Sequence, residues 1–338
     1  MMRIAGIGDL FIPAIYIKKG FAPWHAAGHV VDVMDWPLES FQALQAINLQ
    51  VEKFGSDAVE PPDIIYEFCA EADVIVTQFC TITKKLIDAC PRLKAVGILR
   101  SGVENVNAAY LEEKGIRLFH TPGRNADSVS DFTIGLMLCE ARNIARGHLG
   151  MKKGQWIREY PNSGSIPDLR GRTVGLIGCG AIGRKVAEKL RGFDMRILGY
   201  DPFANHEGCR ESGILLTDLD SLLSESDFIS IHARLTTENH HLINDKRLRQ
   251  VKRGAYLINT SRAGLIDEVA LYNALCDGTL AGAALDVFEH EPPGADDPLV
   301  SLPNVTVTPH MAGGSNDAFY NTPALLRASM DQWLHHEI

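Results

Sequence analysis

The stretch that decides the fold is "TVGLIGCGAIGRKVAEKL", residues 173–190. Its apolar run predicts a buried strand, and the amphipathic run after the glycines predicts a helix. Between them stand Gly178, Gly180 and Gly183, in the spacing of a turn that binds dinucleotides. The first glycine permits the tight turn, the second lets the backbone approach a pyrophosphate, and the third lets helix and strand pack closely. Backbone amides and the positive dipole end at the helix N-terminus attract the phosphates.

An acidic residue ends the next apolar run, "RILGYD", at Asp201. It lies near the position, about 20 residues past the glycines, where a carboxylate binds the adenosine ribose. A carboxylate there favours a 2′-hydroxyl and repels a 2′-phosphate, so we expect NAD rather than NADP. Ala181 and Ile182 complete the predicted turn. A methyltransferase can also carry a glycine-rich first turn, so the chemistry has to be decided elsewhere in the chain.

Apolar runs alternate with amphipathic stretches along the whole chain, which predicts βαβ units around parallel sheets. Six runs predict a doubly wound, Rossmann-type domain: "TVGLIG", "RILGYD", "DFISIHA", "AYLINTS", "LAGAALDV" and "VTVTPH". Five runs in the first third predict a second sheet: "RIAGIGD", "HVVDVMDW", "DVIVTQF", "KAVGIL" and "RLFHTPG".

Two helical segments flank the Rossmann-type domain. A long apolar helix precedes it, starting near Asp127 or Ser128 and continuing to about residue 147. The segment from about Asn316 is too short to be a domain, and we expect it to return to the first one. The predicted domains are therefore residues 1–125 with 312–338, for substrate binding, and residues 126–311, for NAD binding.

Composition excludes several classes of function. The 338 residues fit two domains, and the formal net charge of −9 argues against nucleic acid and anionic membrane surfaces as partners. No signal peptide and no membrane-spanning stretch are recognisable. The seven cysteines are scattered, odd in number and without a CxxC pair, which is typical of a reduced, cytoplasmic protein. The paired histidines at 240/241 and 335/336 lack ligand spacing, so no metal site is predicted.

Three segments each finish a predicted strand of the second domain: "AYLINTSRAG", "LAGAALDVFEHEPP" and "VTVTPHMAGG". Ligands bind at the carboxyl ends of such strands, so Arg262, Asp286, Glu291 and His310 should converge there. His310 can give or take a proton near neutral pH. Glu291 can orient the imidazole and stabilise its charged form, and Arg262 offers a planar fork for a carboxylate. Together these residue types can bind a carboxylate and transfer a proton beside it.

These segments, with "TVGLIGCGAIG" and "RSGVENVN", resemble the NAD-dependent D-2-hydroxyacid dehydrogenase family over nearly the whole chain. The resemblance implies an Arg/Glu/His catalytic set that falls on Arg262, Glu291 and His310. It also implies a flavodoxin-like substrate domain, and that Asp286 faces the nicotinamide carboxamide. Further cofactor contacts are expected at Ser101, Ala233, Thr260, Ser261, Arg262, His310, Ala312 and Gly313. Glu289 and His290 are interpreted as exposed loop residues.

The turn "GILRSGVENVN" is where family members hold the substrate carboxylate on backbone amides, here those of Ser101, Gly102 and Val103. Most relatives have a small residue in place of Arg100. This arginine is either a second cation for the substrate or an ion-paired surface residue. Phosphoglycerate dehydrogenases typically carry arginines where this chain has Thr77 and Ile98, which weakens, without excluding, a phosphorylated or sugar-derived substrate.

The sequence also leaves alternative functions open and predicts an oligomeric state. An NAD-sensing corepressor of the same fold is an alternative to the enzyme, and a D-3-phosphoglycerate dehydrogenase is an alternative within the enzyme class. Formate oxidation is disfavoured, because enzymes of this fold that oxidise formate typically have Gln where this chain has Glu291. The long helix and the loop after it resemble the arm of family dimers, so we expect a homodimer through the nucleotide-binding domains.

Overall fold

The computed structural model describes residues 1–294 and 296–337, and it divides the chain into two compact units. The first unit contains Met1–Arg124 and the chain from Ser315 onward, and the second contains Asn125–Gly314. The chain therefore passes from one unit to the other twice.

The first unit contains a parallel sheet of five strands. They are β1 (Arg3–Gly8), β2 (Val30–Asp35), β3 (Val74–Thr77), β4 (Ala95–Ile98) and β5 (Arg117–His120). Their order, β2-β1-β3-β4-β5, is that of flavodoxin-like folds. Each of the five predicted runs contains one of these strands. The central strands β1, β3 and β4 are almost wholly buried, which explains their continuous apolar sequences.

Six helices of the first unit connect these strands. They are α1 (Ala14–Gly20), α2 (Ala22–Ala26), α3 (Phe41–Phe54), α4 (Asp63–Cys69), α5 (Lys84–Asp88) and α6 (Ala108–Glu113). Side chains cap three of them, because Ser40, Thr83 and Asn107 accept hydrogen bonds from amides in the first turns of α3, α5 and α6.

The second unit contains a parallel sheet of seven strands. They are β6 (Thr173–Ile177), β7 (Arg196–Tyr200), β8 (Leu215–Leu216), β9 (Phe228–Ile231), β10 (Ala255–Asn259), β11 (Leu280–Leu285) and β12 (Val305–Val307). The order β12-β11-β10-β9-β6-β7-β8 is the Rossmann order with one added edge strand. The six predicted runs are all strands. β8 was not predicted, because two residues are too few to show a period.

The helices of the second unit include one correction to the sequence prediction. They are α7 (Ala126–Ala141), α8 (Ile144–Lys152), α9 (Ala181–Leu190), α10 (His206–Glu211), α11 (Leu219–Glu225), α12 (Asp245–Leu248) and α13 (Glu268–Cys276). The predicted single helix to residue 147 is wrong, because Asn143 has a φ of 57° and separates α7 from α8. Asn143 Nδ2 donates to Asn162 Oδ1 over 2.7 Å, which holds it in this left-handed conformation.

The last helix, α14 (Asn316–Glu337), belongs to the first unit. It approaches α1 so closely that a Cβ on Gly20 would lie 2.5 Å from Pro323 Cβ. Leu326 and Met330 are fully buried in the core with Ile17. Within residues 1–294 and 296–337, none of the helices combines the length and apolar character needed to cross a bilayer.

Candidate active site

The glycine-rich turn between β6 and α9 needs each of its glycines for a different reason. Gly178 has a φ of 96°, and a Cβ on it would lie 2.7 Å from the backbone nitrogen of Ala233. A Cβ on Gly183 would overlap the carbonyl oxygen of Gly178, so this glycine lets α9 pack on the turn. A Cβ on Gly180 would meet nothing within 4 Å, so the turn is open on that side. Ala181 and Ile182 form the first turn of α9 beside this opening.

The carboxylate of Asp201, at the end of β7, lies over the same turn. Its Oδ2 accepts a hydrogen bond from Cys179 N over 2.9 Å, and its Oδ1 accepts one from Phe203 N over 2.8 Å. The side chain stays partly exposed. An open, glycine-lined helix N-terminus next to a fixed carboxylate fits the pyrophosphate and adenosine ribose of NAD.

A histidine beside this turn was not singled out from the sequence. His232 follows β9, its Nε2 lies 3.0 Å from Ser230 Oγ, and its buried Nδ1 has no hydrogen-bond partner among the described residues. Burial lowers the pKa of His232 to about 4, so the ring is neutral at physiological pH. Its neighbour Ala233, a predicted cofactor contact, is half-buried. A histidine directly after a predicted strand was the available signal.

The loop after β10 is arranged by Asn259, which the sequence reading also missed. Asn259 Oδ1 accepts hydrogen bonds from the backbone nitrogen and the hydroxyl of Ser261, over 3.0 and 2.8 Å. Its Nδ2 donates to the carbonyl of Arg262 over 3.0 Å. Thr260 is buried, with its hydroxyl 2.9 Å from that of Thr133. Arg262 is exposed, and one guanidinium N–H donates to the Ser261 carbonyl over 2.7 Å, which leaves its other donors available.

Asp286, at the end of β11, anchors the loop that carries the predicted catalytic histidine. Its Oδ1 accepts hydrogen bonds from Thr308 Oγ1 over 2.6 Å and from Met311 N over 3.0 Å, and its Oδ2 accepts one from Ala312 N over 2.8 Å. The residue is fully buried. These contacts give Asp286 a positioning role in the loop, and its place beside the cofactor stays a prediction. The same loop brings Gly313 against the side chain of Asn125.

His310 and Glu291 form a hydrogen-bonded pair. His310 Nδ1 lies 2.7 Å from Glu291 Oε2, and Glu291 Oε1 accepts a hydrogen bond from Phe288 N over 3.1 Å. Both side chains are partly exposed, at 50% for His310 and 37% for Glu291. Because the Glu291 carboxylate accepts a hydrogen bond from Nδ1–H of His310, Nε2 is the ring nitrogen that remains available to a substrate. The backbone of His310 is left-handed, with a φ of 48°.

The loop that carries Glu291 has a second support. Glu268 Oε1, on α13, accepts a hydrogen bond from Glu289 N over 3.0 Å, and Glu289 Oε1 lies 3.3 Å from His241 Nε2. Burial raises the pKa of Glu268 above its ordinary value. Glu289 and His290 are exposed, as predicted. Glu289 also connects the loop to Glu268 of α13 and to His241.

The predicted carboxylate-binding turn lies in the first unit, after β4. Arg100 Nη2 lies 3.2 Å from Glu104 Oε2 and 3.8 Å from Glu52 Oε1, so this arginine is ion-paired. Ser101 Oγ donates to the Thr121 carbonyl over 3.4 Å. Gly102 and Val103 follow in the same turn, and a Cβ on Gly102 would collide with the Glu104 carboxylate. Among the residues that the structure describes, no group of three or more His, Cys, Asp or Glu could hold a metal ion.

Comparison with known proteins relates this site to one family. The sequence model of the NAD binding domain of D-isomer specific 2-hydroxyacid dehydrogenases matches residues 134–312. A hydroxypyruvate reductase from Thermotoga maritima is 38% identical over 86% of this chain and 92% of its own. A D-3-phosphoglycerate dehydrogenase from Methanocaldococcus jannaschii is 39% identical over 75% of this chain, which corresponds to 48% of its own length.

The fold is shared with solved structures over almost the whole chain. The crystal structure of a D-lactate dehydrogenase from Treponema pallidum has a TM-score of 0.74 at 26% sequence identity, covering 99% of this chain and 97% of its own. These relatives are all named as enzymes, so the corepressor interpretation is not favoured.

Proposed function

Because this chain belongs to the D-isomer specific 2-hydroxyacid dehydrogenase family, we propose that Arg262, Glu291 and His310 are its catalytic residues. The protein is an NAD-dependent oxidoreductase that interconverts D-2-hydroxy acids and 2-keto acids. The observation that carries the residue assignment is the 2.7 Å contact between His310 Nδ1 and Glu291 Oε2. The second unit is then the NAD-binding domain and the first unit the substrate-binding domain.

The proposed mechanism gives each side chain one task. The glycine-rich turn after β6 would hold NADH, which would supply the hydride for the keto carbon. The imidazolium of His310 donates a proton from Nε2 to the keto oxygen, and in the reverse direction the neutral ring accepts it. Glu291 orients the ring and stabilises its positive charge. Arg262 binds the substrate carboxylate through its free guanidinium donors and polarises the neighbouring carbonyl.

Two further groups complete the proposed site. Backbone amides of Ser101, Gly102 and Val103 bind the substrate carboxylate. Thr260, Ser261, Asp286, Ala312 and Gly313 border the nicotinamide end of the cofactor, with Asp286 acting through the loop that it anchors. Asp201 binds the ribose hydroxyls, so NADH should be used at least about tenfold more efficiently than NADPH, or 1.4 kcal/mol.

For the substrate, we favour an unphosphorylated 2-keto acid. Thr77 and Ile98 are buried strand residues, and neither offers a cation to a phosphate. Arg100 is already paired with two glutamates. A relative named for hydroxypyruvate is 38% identical over 86% of this chain.

NADH oxidation with a panel of keto acids tests the function. The panel contains glyoxylate, hydroxypyruvate, phosphohydroxypyruvate and sugar-derived 2-keto acids, each with NADH and NADPH. We expect reduction of at least one of them, and oxidation of the D isomer only when the matching hydroxy acid is supplied with NAD. Oxidation of the L isomer alone, or no turnover across the panel, would contradict the proposal.

We also propose a cellular location and an oligomeric state for the enzyme. All seven cysteines are free thiols in the described structure, which supports a cytoplasmic location. We infer a homodimer because large apolar side chains lie exposed on α8 and the loop after it. They are Ile144, Leu149, Met151, Trp156, Ile157 and Ile166. Apolar surface gathered on one arm is typical of a protein interface.

A further inference from the structure

Three polar atoms at the carboxyl edge of the first unit's sheet are buried without a partner. They are Asp9 Oδ2 after β1, Gln78 Oε1 after β3 and Arg124 Nη1 after β5. Asp9 is 4% exposed and Gln78 is 1% exposed. A buried polar group without a hydrogen bond destabilises the folded protein, because it has lost its hydrogen bonds to water. Three of them at one edge of one sheet indicate partners that the described chain does not supply.

The two carboxylate oxygens of Asp9 differ in their hydrogen bonds. Oδ1 accepts hydrogen bonds from Phe11 N over 2.8 Å and from Ile12 N over 3.0 Å, which forms the turn after β1. Oδ2 takes no part in this turn. Burial raises the pKa of Asp9 to about 6, and the charge of Arg124 opposes this effect. The turn therefore needs only one of the two oxygens, and the other is available to a ligand.

Arg124 and Arg100 lie against the same cluster of phenylalanine rings but differ in their ion-pair partners. The Phe11 ring lies 5.3 Å from Phe319 and 6.0 Å from Phe79. The guanidinium of Arg124 lies 5.2 Å from the Phe319 ring, and that of Arg100 lies 5.0 Å from the Phe79 ring.

The charge of Arg100 is matched by Glu104 and Glu52, whereas no ion pair of Arg124 is formed within the described residues. Burial lowers the pKa of Arg124 to about 10, so it remains a cation at neutral pH. Arg124 is half-buried as a residue, and its Nη1 atom is buried.

We propose that Asp9, Gln78 and Arg124 bind the side chain of the substrate, and that this side chain is polyhydroxylated, as in a sugar-derived 2-keto acid. The inference rests on the proposed function, because Arg100 leads directly into the turn assigned to the substrate carboxylate. Asp9 Oδ2 and Gln78 Oε1 require donors, and Arg124 requires an acceptor.

A chain of hydroxyls supplies both donors and acceptors, and it suits either orientation of the Gln78 amide. A phosphate only accepts and is repelled by the Asp9 carboxylate. An alkyl side chain offers no partner to any of the three atoms. Of these three classes of side chain, the polyhydroxylated one offers a partner to all three atoms.

The experiment compares 2-keto-D-gluconate with glyoxylate, which has no side chain, as substrates for reduction by NADH. We expect kcat/KM to be at least about tenfold higher for 2-keto-D-gluconate in the wild type. Asp9→Asn and Arg124→Met should each lower the ratio of the two kcat/KM values by about tenfold or more, mainly through KM for 2-keto-D-gluconate. Asp9→Asn keeps the Oδ1 acceptor of the turn, so it should fold.

The matched control is Arg117→Met, which removes an exposed arginine at the opposite end of β5 and should leave the ratio unchanged. Should Arg124→Met fail to fold, Arg124→Lys keeps the charge but not the planar fork, and it should also lower the ratio. Folding of each variant is checked by NADH binding and thermal unfolding.

The outcomes separate this inference from the proposed function. Reduction of glyoxylate or hydroxypyruvate with an unchanged ratio in Asp9→Asn and Arg124→Met would overturn the side-chain site and leave the enzyme assignment intact. A preference for phosphohydroxypyruvate that disappears in Arg124→Met would make the cluster a phosphate site, and the proposal of a polyhydroxylated substrate would be wrong. Absence of turnover with every keto acid would contradict the proposed function, and with it the inference about the side-chain site.

Discussion

Two carboxylates near the proposed catalytic histidine act in different ways because their burial differs. Asp286 is fully buried and holds the loop 308–312 with both oxygens. Glu291 is partly exposed and keeps Oε2 on His310. The buried group therefore fixes the position of the histidine, and the partly exposed one forms a hydrogen bond with its ring.

Removing His310 or the charge of Glu291 tests this pair. His310→Ala should lose roughly 10²–10⁴-fold in kcat, the usual contribution of a positioned acid or base, while NADH binding changes little. Glu291→Gln removes the charge that stabilises the imidazolium, so reduction should fail at a lower pH than in the wild type. The measurement is the alkaline limb of kcat/KM for the keto acid. An unmoved limb would mean that Glu291 is not the electrostatic partner of His310.

Asp9 gives a prediction about stability and pH. Its pKa is about 6 in the folded protein and ordinarily 3.8, so between these values the folded state binds more protons than the unfolded state. The free energy of unfolding therefore falls as pH rises through this window. Asp9→Asn cannot ionise, and it should stabilise the protein near pH 8 by on the order of 3 kcal/mol.

Below about pH 3 the stability difference between Asp9→Asn and the wild type should vanish, because Asp9 is then neutral in both the folded and the unfolded state. Urea unfolding at both pH values measures it. A destabilised variant near pH 8 would contradict the raised pKa.

The chemistry of the site residues was predictable from the sequence, but their supports were not. Arg262, Glu291 and His310 follow from residue type and from their place after predicted strands. Asn259 and His232 were missed because their roles depend on neighbours that only the folded chain brings close. The left-handed backbone of His310 likewise has no sequence signal, since nothing about histidine requires it.

At the scale of elements, a buried ion pair ties α7 and α8 to the edge of the second sheet. Arg146 Nη2 lies 2.7 Å from both oxygens of Glu140, and Thr306 Oγ1 donates to Glu140 Oε2 over 2.6 Å. Arg146 Nε also donates to the Pro303 carbonyl. Because Glu140 is almost fully buried, loss of its charge would leave the largely buried Arg146 cation without an anionic partner.

Glu140→Gln should therefore lower the free energy of unfolding by about 3 kcal/mol. The double variant Glu140→Gln with Arg146→Met should be more stable than Glu140→Gln alone, because the unpaired charge is removed as well. Urea unfolding measures the free energy of unfolding of both variants, and an unchanged m-value shows that the comparison is valid. Equal stability of the single and double variants would show that the buried charge is not the cause.

Element types were predicted well where the apolar runs were long. All eleven predicted strands are present, whereas the two residues of β8 gave no pattern to read. The break between α7 and α8 was missed because the apolar pattern runs through it. The cause is the contact of Asn143 with Asn162, which is distant in sequence.

At the scale of the whole molecule, the exposed apolar arm is the feature that sequence and structure both point to. Leu149, Met151 and Trp156 are 54%, 56% and 79% exposed. A water-exposed group of large apolar side chains is more stable when a partner covers it, and a two-fold dimer covers it on both chains at once.

Light scattering at micromolar concentration should give the mass of a dimer. Trp156→Glu combined with Leu149→Glu should shift that mass towards the monomer, because both charges would be buried in the interface. Val269→Glu, at an exposed apolar residue of α13 in the same unit, is the matched control and should remain dimeric. A monomeric wild type would contradict the homodimer.

The return of α14 to the first unit also sets the order in which the chain matures on the ribosome. Residues 1–124 are translated before the second unit, yet the core of their unit contains Leu326, Met330 and Leu334, which are translated after it. The second unit lies between and emerges complete before α14 does. Nascent chains should therefore protect residues 125–314 from protease earlier than residues 1–124, so that the amino-terminal part, although the oldest, is the last to become resistant.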